Sequence, residues 1–258
     1  MLGWPDPFHA ALAFAAALVA GAVNAVAGGG TNVAFSALVW LGLPPISANA
    51  TTSVALWPGR LGGAWGFRQE LLKTRHWWFW LAVPSLLGGA LGAYLLVHSP
   101  PQLFKALAPY LVLGSTALVA AEPVLTRWLH QGKEQHRSLG ARAVAVGVQF
   151  VVAGYGGYFG AGLGFLLLTA LGLLGVRDLA RANGLKNLFG IAIKGAAVVY
   201  FVVAGAVAWH AALVMAVGAL VGGYAGATLA HRLDARLMRG AIVLIGVAIA
   251  VAMFLGLR

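Results

Sequence analysis

Three basic residues, Arg60, Lys186 and Lys194, fall inside long apolar stretches of the sequence. Most of the six acidic residues lie instead in polar loops or at the ends of these stretches. An ionisable residue in apolar surroundings is costly to maintain and is usually functional. Because no carboxylate falls in the middle of a stretch to pair with these cations, the ligand that we expect beside them is a small anion.

Two apolar stretches carry polar residues at the same spacing, i, i+4 and i+11, which places three side chains on one face of a helix. In the second stretch, Gly190 lies on that face and leaves room for a ligand. Donor side chains beside a cation suit an oxyanion, because an oxyanion accepts several hydrogen bonds at once. The residues with this spacing are Asn49, Ser53 and Arg60 in the first stretch and Asn183, Asn187 and Lys194 in the second.

Several candidate site residues have a structural alternative. Lys186 lies about two helical turns from a basic loop, so its side chain can also extend to the membrane interface. Arg60 follows a Pro-Gly pair that can kink a helix, so it can also bind carbonyl groups freed by the kink. Four further residues are equally suited to the site and to hydrogen bonds between helices: Asn24, Asn32, Thr51 and Thr52.

The composition indicates what surrounds these stretches. Of the 258 residues, 61% are hydrophobic and 9% are charged, whereas soluble domains average about a quarter charged residues. So few polar residues cannot cover a large core in water, and we predict an all-α integral membrane protein in contact with lipid. The chain has no cysteine and its seven histidines lack metal-ligand spacing, so we expect neither a metal nor a cofactor.

The chain divides into ten apolar segments, which correspond to eight to ten membrane spans. A span needs about 20 apolar residues, so the two short segments, 31–43 and 163–175, are predicted to be broken or re-entrant helices. The ten segments are 9–27, 31–43, 46–66, 77–97, 103–121, 143–161, 163–175, 180–204, 208–230 and 239–257.

The basic residues of the loops indicate the orientation. Nearly all of them fall on one side of the predicted membrane, whereas Lys105 and Arg258 fall on the other. By the positive-inside rule the basic side is cytoplasmic. We therefore expect a multi-pass protein of the cell (inner) membrane with both termini outside and the polar linker 122–142 in the cytoplasm. The net charge of +11 then serves orientation, and no nucleic-acid partner is expected.

The two halves of the chain resemble each other at an offset of 134 residues. Each half contains five segments, an odd number, so the second half enters the membrane from the opposite side. This arrangement is an inverted-topology repeat, which is typical of secondary transporters. The predicted units are residues 1–121 and 143–258, and chance similarity between sequences rich in Gly and Ala is the alternative. The matches include Ala48-Asn49 with Ala182-Asn183, Ser53 with Asn187, and Arg60 with Lys194.

Glycine clusters mark the point in each half where a long segment meets a short one. Glycine allows a helix to break, and the N–H groups at the start of the next helix attract anions. Close packing between helices is the alternative role for such small residues. The clusters are Gly28, Gly29 and Gly30 in the first half and Gly162 and Gly164 in the second.

Four motifs together resemble those of the TauE/SafE family of sulfite exporter-like membrane permeases. They are GAVNAVAGGGT at 21–31, LGLPPISANATTS at 41–53, GAGLG at 160–164 and ARANGLKN at 180–187. The resemblance implies transport of sulfite, sulfonates or related small anions across the cytoplasmic membrane, commonly as export. Leu185-Lys186 replaces Thr51-Thr52 in the second half, which makes the two half-sites chemically unequal.

The leading hypothesis is a secondary anion transporter that works by alternating access around a midplane site. An anion channel or facilitator is the alternative, because the same cations would serve it. An enzyme is not expected, since the apolar segments contain no acid–base pair and no nucleophile–base pair. A buried lysine can lose its proton, so protons are candidate coupling ions at Lys194 or Lys186. The sequence leaves the anion, the direction and homo-oligomer formation open.

Overall fold

The computed structural model consists of ten helices and describes residues 6–26, 29–66, 71–72, 74–130, 139–176, 178–229 and 235–255. No strand occurs in these ranges. The helices are α1 (Pro7–Val26), α2 (Gly30–Trp40), α3 (Pro45–Gly66), α4 (Arg75–His98), α5 (Pro101–His130), α6 (Leu139–Tyr158), α7 (Leu163–Leu173), α8 (Leu179–Val203), α9 (Trp209–Leu229) and α10 (Ala235–Phe254).

The prediction of an all-α protein is confirmed over the described residues, and each of the ten apolar segments corresponds to one helix. The largest difference lies at the polar linker. Helix α5 continues to His130 and α6 begins at Leu139, so much of 122–142 is helical. A search for apolar runs ends a helix too early when the helix continues as an amphipathic segment, because the polar face of that segment lowers the local hydropathy.

Five helices contain stretches that are long and apolar enough to cross a membrane: Pro7–Ala25, Trp80–His98, Pro101–Ala121, Ala180–Val203 and Trp209–Gly226. Apolar stretches of α6, α7 and α10 are shorter. Helix α3 contains the polar run from Ser47 to Ser53, which explains why it does not read as a purely apolar span. The larger predicted number of spans, eight to ten, therefore stays a prediction.

The short segments are helices of 11 residues each, α2 and α7. At 1.5 Å per residue each is about 17 Å long, little more than half of the roughly 30 Å hydrocarbon core of a bilayer. Each follows a glycine in the left-handed region, Gly29 with φ 89° and Gly162 with φ 71°. Side chains other than glycine rarely adopt this conformation, so these two glycines are what allow the chain to start a new helix.

The structure shifts the correspondence between the two glycine clusters by one residue. Gly29 corresponds to Gly162 as the residue before a short helix, whereas the sequence match pairs Gly28 with Gly162. Gly30 is the first residue of α2, and a side chain there would overlap the carbonyl of Ala20. Gly164 lies inside α7, and Gly28 lies outside the described residues.

Close helix packing through glycine occurs in several pairs of helices, among them α1 with α9 and α4 with α6. A Cβ atom on Gly222 of α9 would overlap the backbone of Leu18 in α1, and one on Gly92 of α4 would overlap the backbone of Gly154 in α6. Small residues that bring backbones together are the usual means of helix association in lipid. The alternative role considered for glycine therefore applies to these glycines and, at the first helix break, to Gly30.

The pattern of helix contacts is nearly the same in the two halves. Helix α3 packs on α9, and its counterpart α8 packs on α4. Helix α2 packs on α3, and its counterpart α7 packs on α8. Two contacts join counterparts directly, α3 with α8 and α5 with α10. The contact between α3 and α8 brings the two polar faces together in the middle of the protein.

Candidate functional site

Helices α3 and α8 cross at matching positions of the two halves. The indole nitrogen of Trp57 donates a hydrogen bond to the carbonyl oxygen of Ile191 at 3.2 Å, and these residues are 134 positions apart. The same indole ring faces Gly195, where a Cβ atom would lie 3.4 Å from the ring. The crossing fixes the distance between the polar faces of the two helices and therefore the geometry of any site between them.

Lys194 is the buried centre of this region. Its side chain is only 2% exposed. The ammonium nitrogen donates to the hydroxyl oxygen of Ser53 at 3.1 Å and to the carbonyl oxygen of Phe159 at 3.2 Å. Gly160, with φ 76°, lies directly against this ammonium group, and a Cβ atom there would overlap it. Ser53 and Lys194, which both belong to the predicted site, are thus in direct contact across the two halves.

The carbonyl groups that meet Lys194 come from the break between α6 and α7. The side-chain amide of Asn49 donates to Tyr158 at 2.8 Å, one residue before the Phe159 carbonyl. The Tyr155 hydroxyl donates to the carbonyl of Ala161 at 2.6 Å. The last carbonyls of a helix lack partners within the helix and carry its partial negative charge. An amide, a phenol and an ammonium group therefore stabilise this broken end.

Two further polar atoms at the α3 face are buried without a hydrogen-bond partner among the described residues. They are the amide oxygen of Asn49 and the hydroxyl oxygen of Thr52. Both residues are fully buried. A buried polar group without a partner costs about 1–3 kcal/mol, so these atoms are available to a ligand or water.

Arg60 lies one turn beyond the crossing, and its guanidinium group fills the space above Gly190. A Cβ atom on Gly190 would lie 3.1 Å from a terminal nitrogen of Arg60. The prediction that Gly190 leaves room for a ligand needs correction, because Arg60 occupies that room. Helix α3 continues through Pro58, and within the described part of the chain Arg60 donates no hydrogen bond to a kinked backbone. Gly190 and Lys194 are neighbours one turn apart on α8, so the guanidinium group lies near the buried ammonium group.

No carboxylate compensates these two charges from the surrounding helices. The sequences of α3, α4, α6 and α8 contain neither Asp nor Glu. Two neighbouring cations in a medium of low dielectric constant repel strongly. An anion between Arg60 and Lys194 would remove this repulsion and would gain hydrogen bonds from both.

The other predicted residues of α8 lie nearer its N-terminal end. The ammonium group of Lys186 donates to the amide oxygen of Asn183 at 2.7 Å, and its aliphatic chain passes Gly164 of α7 at 3.6 Å from a Cβ position. Asn183, Lys186 and Asn187 are half-buried. These residues form a second polar group about two turns from Lys194 along the helix.

Asn24 and Thr51 have contacts that stabilise backbone away from the two central cations. The exposed Asn24 accepts a hydrogen bond from the backbone N–H of Gly30 at 2.9 Å, which satisfies a free donor at the start of α2. The buried hydroxyl of Thr51 accepts from the N–H of Ala208 at 3.0 Å, in the loop before α9. Both contacts agree with the structural alternative for these residues.

Two further buried polar clusters join pairs of helices, and the first contains Asn32, for which hydrogen bonding between helices was one of the two predicted roles. Asn32 in α2 donates to the hydroxyl of Ser115 at 2.7 Å and to that of Thr116 at 3.4 Å. Gln149 in α6 donates to Ser85 in α4 at 2.7 Å. Single polar residues in long apolar segments are the only sequence signal for such clusters, and that signal does not show which residues meet.

Comparisons with known proteins identify the family of this chain. Residues 13–253 match the family described as Sulfite exporter TauE/SafE. The chain belongs to the TauE/SafE family. The resemblance noted in the sequence motifs is thereby confirmed over nearly the whole chain.

Curated relatives of this TauE/SafE protein also carry transporter names. A probable membrane transporter protein of Haemophilus influenzae is 27% identical over 91% of this chain and 90% of its own length. The probable membrane transporter protein ORF9 of a Sinorhizobium species is 24% identical over 95% and 92%, and the probable membrane transporter protein YfcA of Escherichia coli K12 is 24% identical over 93% and 87%. No solved structure matches the chain. This TauE/SafE protein is a multi-pass membrane protein of a transporter family, and that family is not one of enzymes.

Proposed function

We propose that this protein is a secondary transporter that moves a small anion, such as sulfite, an organosulfonate or a related sulfur oxyanion or carboxylate, across the cell membrane. The observation that carries the proposal is the pair of cations, Arg60 over Gly190 and Lys194 one turn further along α8, since α3, α4, α6 and α8 contain no carboxylate. The buried Asn49 and Thr52 oxygens without partners lie on the same helix as Arg60 and line the polar face that meets α8.

Alternating access of two inverted repeats is the proposed mechanism. Three features support it: the contact pattern shared by the two halves, the short helices α2 and α7 that each follow a left-handed glycine, and the crossing of α3 with α8 at matching positions. Units 1–121 and 143–258 would rock about this crossing, with both termini outside and the linker in the cytoplasm. Export is the proposed direction, in line with the description of the matching family as a sulfite exporter.

Binding to detergent-purified protein tests the proposal. Sulfite, methanesulfonate, thiosulfate and acetate are titrated against the wild type and against Arg60→Ala and Lys194→Ala. A hydrogen bond from a charged donor contributes about 1.5–3 kcal/mol, so we expect each substitution to weaken binding by roughly 10- to 150-fold. Arg181→Ala is the matched control, because Arg181 is an exposed cation near the start of the same helix.

The outcomes separate the transporter from its alternatives. Unchanged affinity in both Arg60→Ala and Lys194→Ala would remove these residues from the site, and binding of none of the four anions would remove the function. In liposomes a carrier shows a flux that saturates with anion concentration. Flux that rises linearly, with single-channel currents, would instead make the protein a channel.

A further inference from the structure

We propose that Lys194 is the proton-binding site of the transport cycle, so that the protein carries its anion together with one proton. This inference rests on the proposed function and adds the coupling ion to it. In the loaded state Lys194 is an ammonium ion beside the anion. In the empty state it is a neutral amine.

The charges around Lys194 favour this change between an ammonium ion and a neutral amine. With Lys194 protonated and no anion present, the site contains two neighbouring positive charges, because Arg60 lies over Gly190, one helical turn from Lys194. A buried ion without a counter-ion carries a desolvation penalty of several kcal/mol. The site avoids this penalty either by holding an anion or by releasing a proton, and only one of the two cations can release a proton.

Arginine keeps its charge in proteins, whereas a buried lysine can become neutral. Lys194 also keeps suitable partners in both forms. The ammonium group has three protons and donates to Ser53 and to the carbonyl of Phe159, which leaves one proton for an anion. The neutral amine has two protons, which match these two oxygen acceptors without a third partner.

The other ionisable groups on the packed elements do not provide an alternative proton site. Helix α3 contributes Arg60, and α6 contributes Tyr155, whose hydroxyl already donates to Ala161. Lys186 on α8 donates to Asn183, and α4 meets this part of α8 with Gly89 against Ile193. Lys194 is therefore the titratable group in the described residues that faces both Arg60 and the broken end of α6.

The cycle balances in protons and charge. From one side, the site with neutral Lys194 and charged Arg60 takes up one monovalent anion and one proton, and the proton binds the lone pair of the lysine nitrogen. On the other side the anion leaves, the proton leaves with it to water, and the original site returns. One negative and one positive charge move together, so the transport step is electroneutral.

Thermodynamic linkage supplies the test. If protonation of Lys194 strengthens anion binding by some factor, anion binding must strengthen proton binding by the same factor. Methanesulfonate is the probe, since it is the anion of a strong acid and does not titrate itself. Its binding is measured by calorimetry at several pH values, in pairs of buffers with different heats of ionisation, which counts the protons taken up.

The expected result for the wild type is uptake of up to one proton per methanesulfonate, with an affinity that falls by up to about tenfold per pH unit as Lys194 loses its proton. Lys194→Arg has a permanent charge, so its binding should take up no proton and should be independent of pH. Lys105→Arg, an exposed lysine near the start of α5, is the matched control and should behave as the wild type.

Two outcomes would overturn the inference while leaving the proposed function intact: anion binding without proton uptake, or the same proton uptake in wild type and in Lys194→Arg. Absence of methanesulfonate, sulfite, thiosulfate and acetate binding would refute the proposed function itself. If Lys194→Arg does not fold, the proton count for the wild type still decides between coupled and uncoupled binding.

Discussion

Gly160 offers a direct test of whether the broken end of α6 positions Lys194. The residue has φ 76°, and a Cβ atom there would overlap the Lys194 ammonium group and lie 2.5 Å from the carbonyl of Gly156. Gly160→Ala should therefore push Lys194 away from Ser53 and Phe159. Gly205→Ala is the matched control, because Gly205 has a similar φ of 66° but no atom within 4 Å of the Cβ position.

The expected difference in stability between the two variants follows from the contacts around the two glycines. Both substitutions place alanine in a glycine conformation, at a cost of roughly 1–2 kcal/mol each. Gly160→Ala also disturbs two hydrogen bonds from a charged donor, which contribute about 1.5–3 kcal/mol each. A flexible lysine regains part of this energy with another acceptor, so we expect Gly160→Ala to destabilise the protein by about 2–4 kcal/mol more than Gly205→Ala.

The assay is a double-mutant cycle read by reversible denaturant unfolding in detergent and by anion affinity. Lys194→Ala removes the side chain that Gly160→Ala displaces, so the part of the excess over Gly205→Ala that comes from Lys194 should disappear in that background, and only the overlap with the Gly156 carbonyl should remain. Anion affinity should fall in Gly160→Ala and stay unchanged in Gly205→Ala.

Two results would refute this explanation of the site. Equal destabilisation by Gly160→Ala and Gly205→Ala would show that Lys194 moves at no cost. An excess that persists undiminished in the Lys194→Ala background would assign the effect to the Gly156 carbonyl instead.

Two further predictions concern packing and orientation. Asn32→Ala should lower the unfolding free energy by about 0.5–2 kcal/mol, because it removes the bond from α2 to Ser115 in α5; Thr228→Val, which removes a bond within α9 only, should have a smaller effect. Since the chain has no cysteine, Gln102→Cys should react with an impermeant maleimide in intact cells, whereas Ser138→Cys in the linker should react only after permeabilisation. The reverse pattern would contradict the proposed orientation.

The helical architecture was predictable because apolar length and breaks at glycine are local properties of the sequence. The position of each break was predicted to within one residue: the left-handed residues are Gly29 and Gly162. The one-residue shift arose because a cluster of adjacent glycines gives no local signal of which one takes the positive φ. That choice depends on neighbours such as Ala20, whose carbonyl leaves no room for a side chain on Gly30.

Equal spacing in the two halves predicted that the polar faces of α3 and α8 lie in one site, and Ser53 does contact Lys194. The spacing matched Ser53 with Asn187 and Arg60 with Lys194, and it did not indicate which side chains touch. The carbonyl of Phe159 could not be predicted, because every residue has a carbonyl group and only the fold shows which one lies at an open helix end. The filling of the Gly190 space by Arg60 likewise depends on the angle at which α3 crosses α8, which sequence spacing does not determine.

The unequal state of the two cations is the feature of the site that bears most directly on transport. Lys194 is bonded to the opposite half through Ser53 and to the break before α7, whereas Arg60, its counterpart, lies over Gly190 without a hydrogen bond in the described residues. In the proposed inverted repeat, the residue that corresponds to Ser53 is the half-buried Asn187. A transporter of this kind exchanges the conformations of its halves, so the opposite state should bond Arg60 to Asn187 and release Lys194. Release of Lys194 exposes the proton site to the other side of the membrane. The replacement of the Lys194–Ser53 hydrogen bond by an Arg60–Asn187 hydrogen bond is then one physical cause for both the conformational change and the movement of the proton.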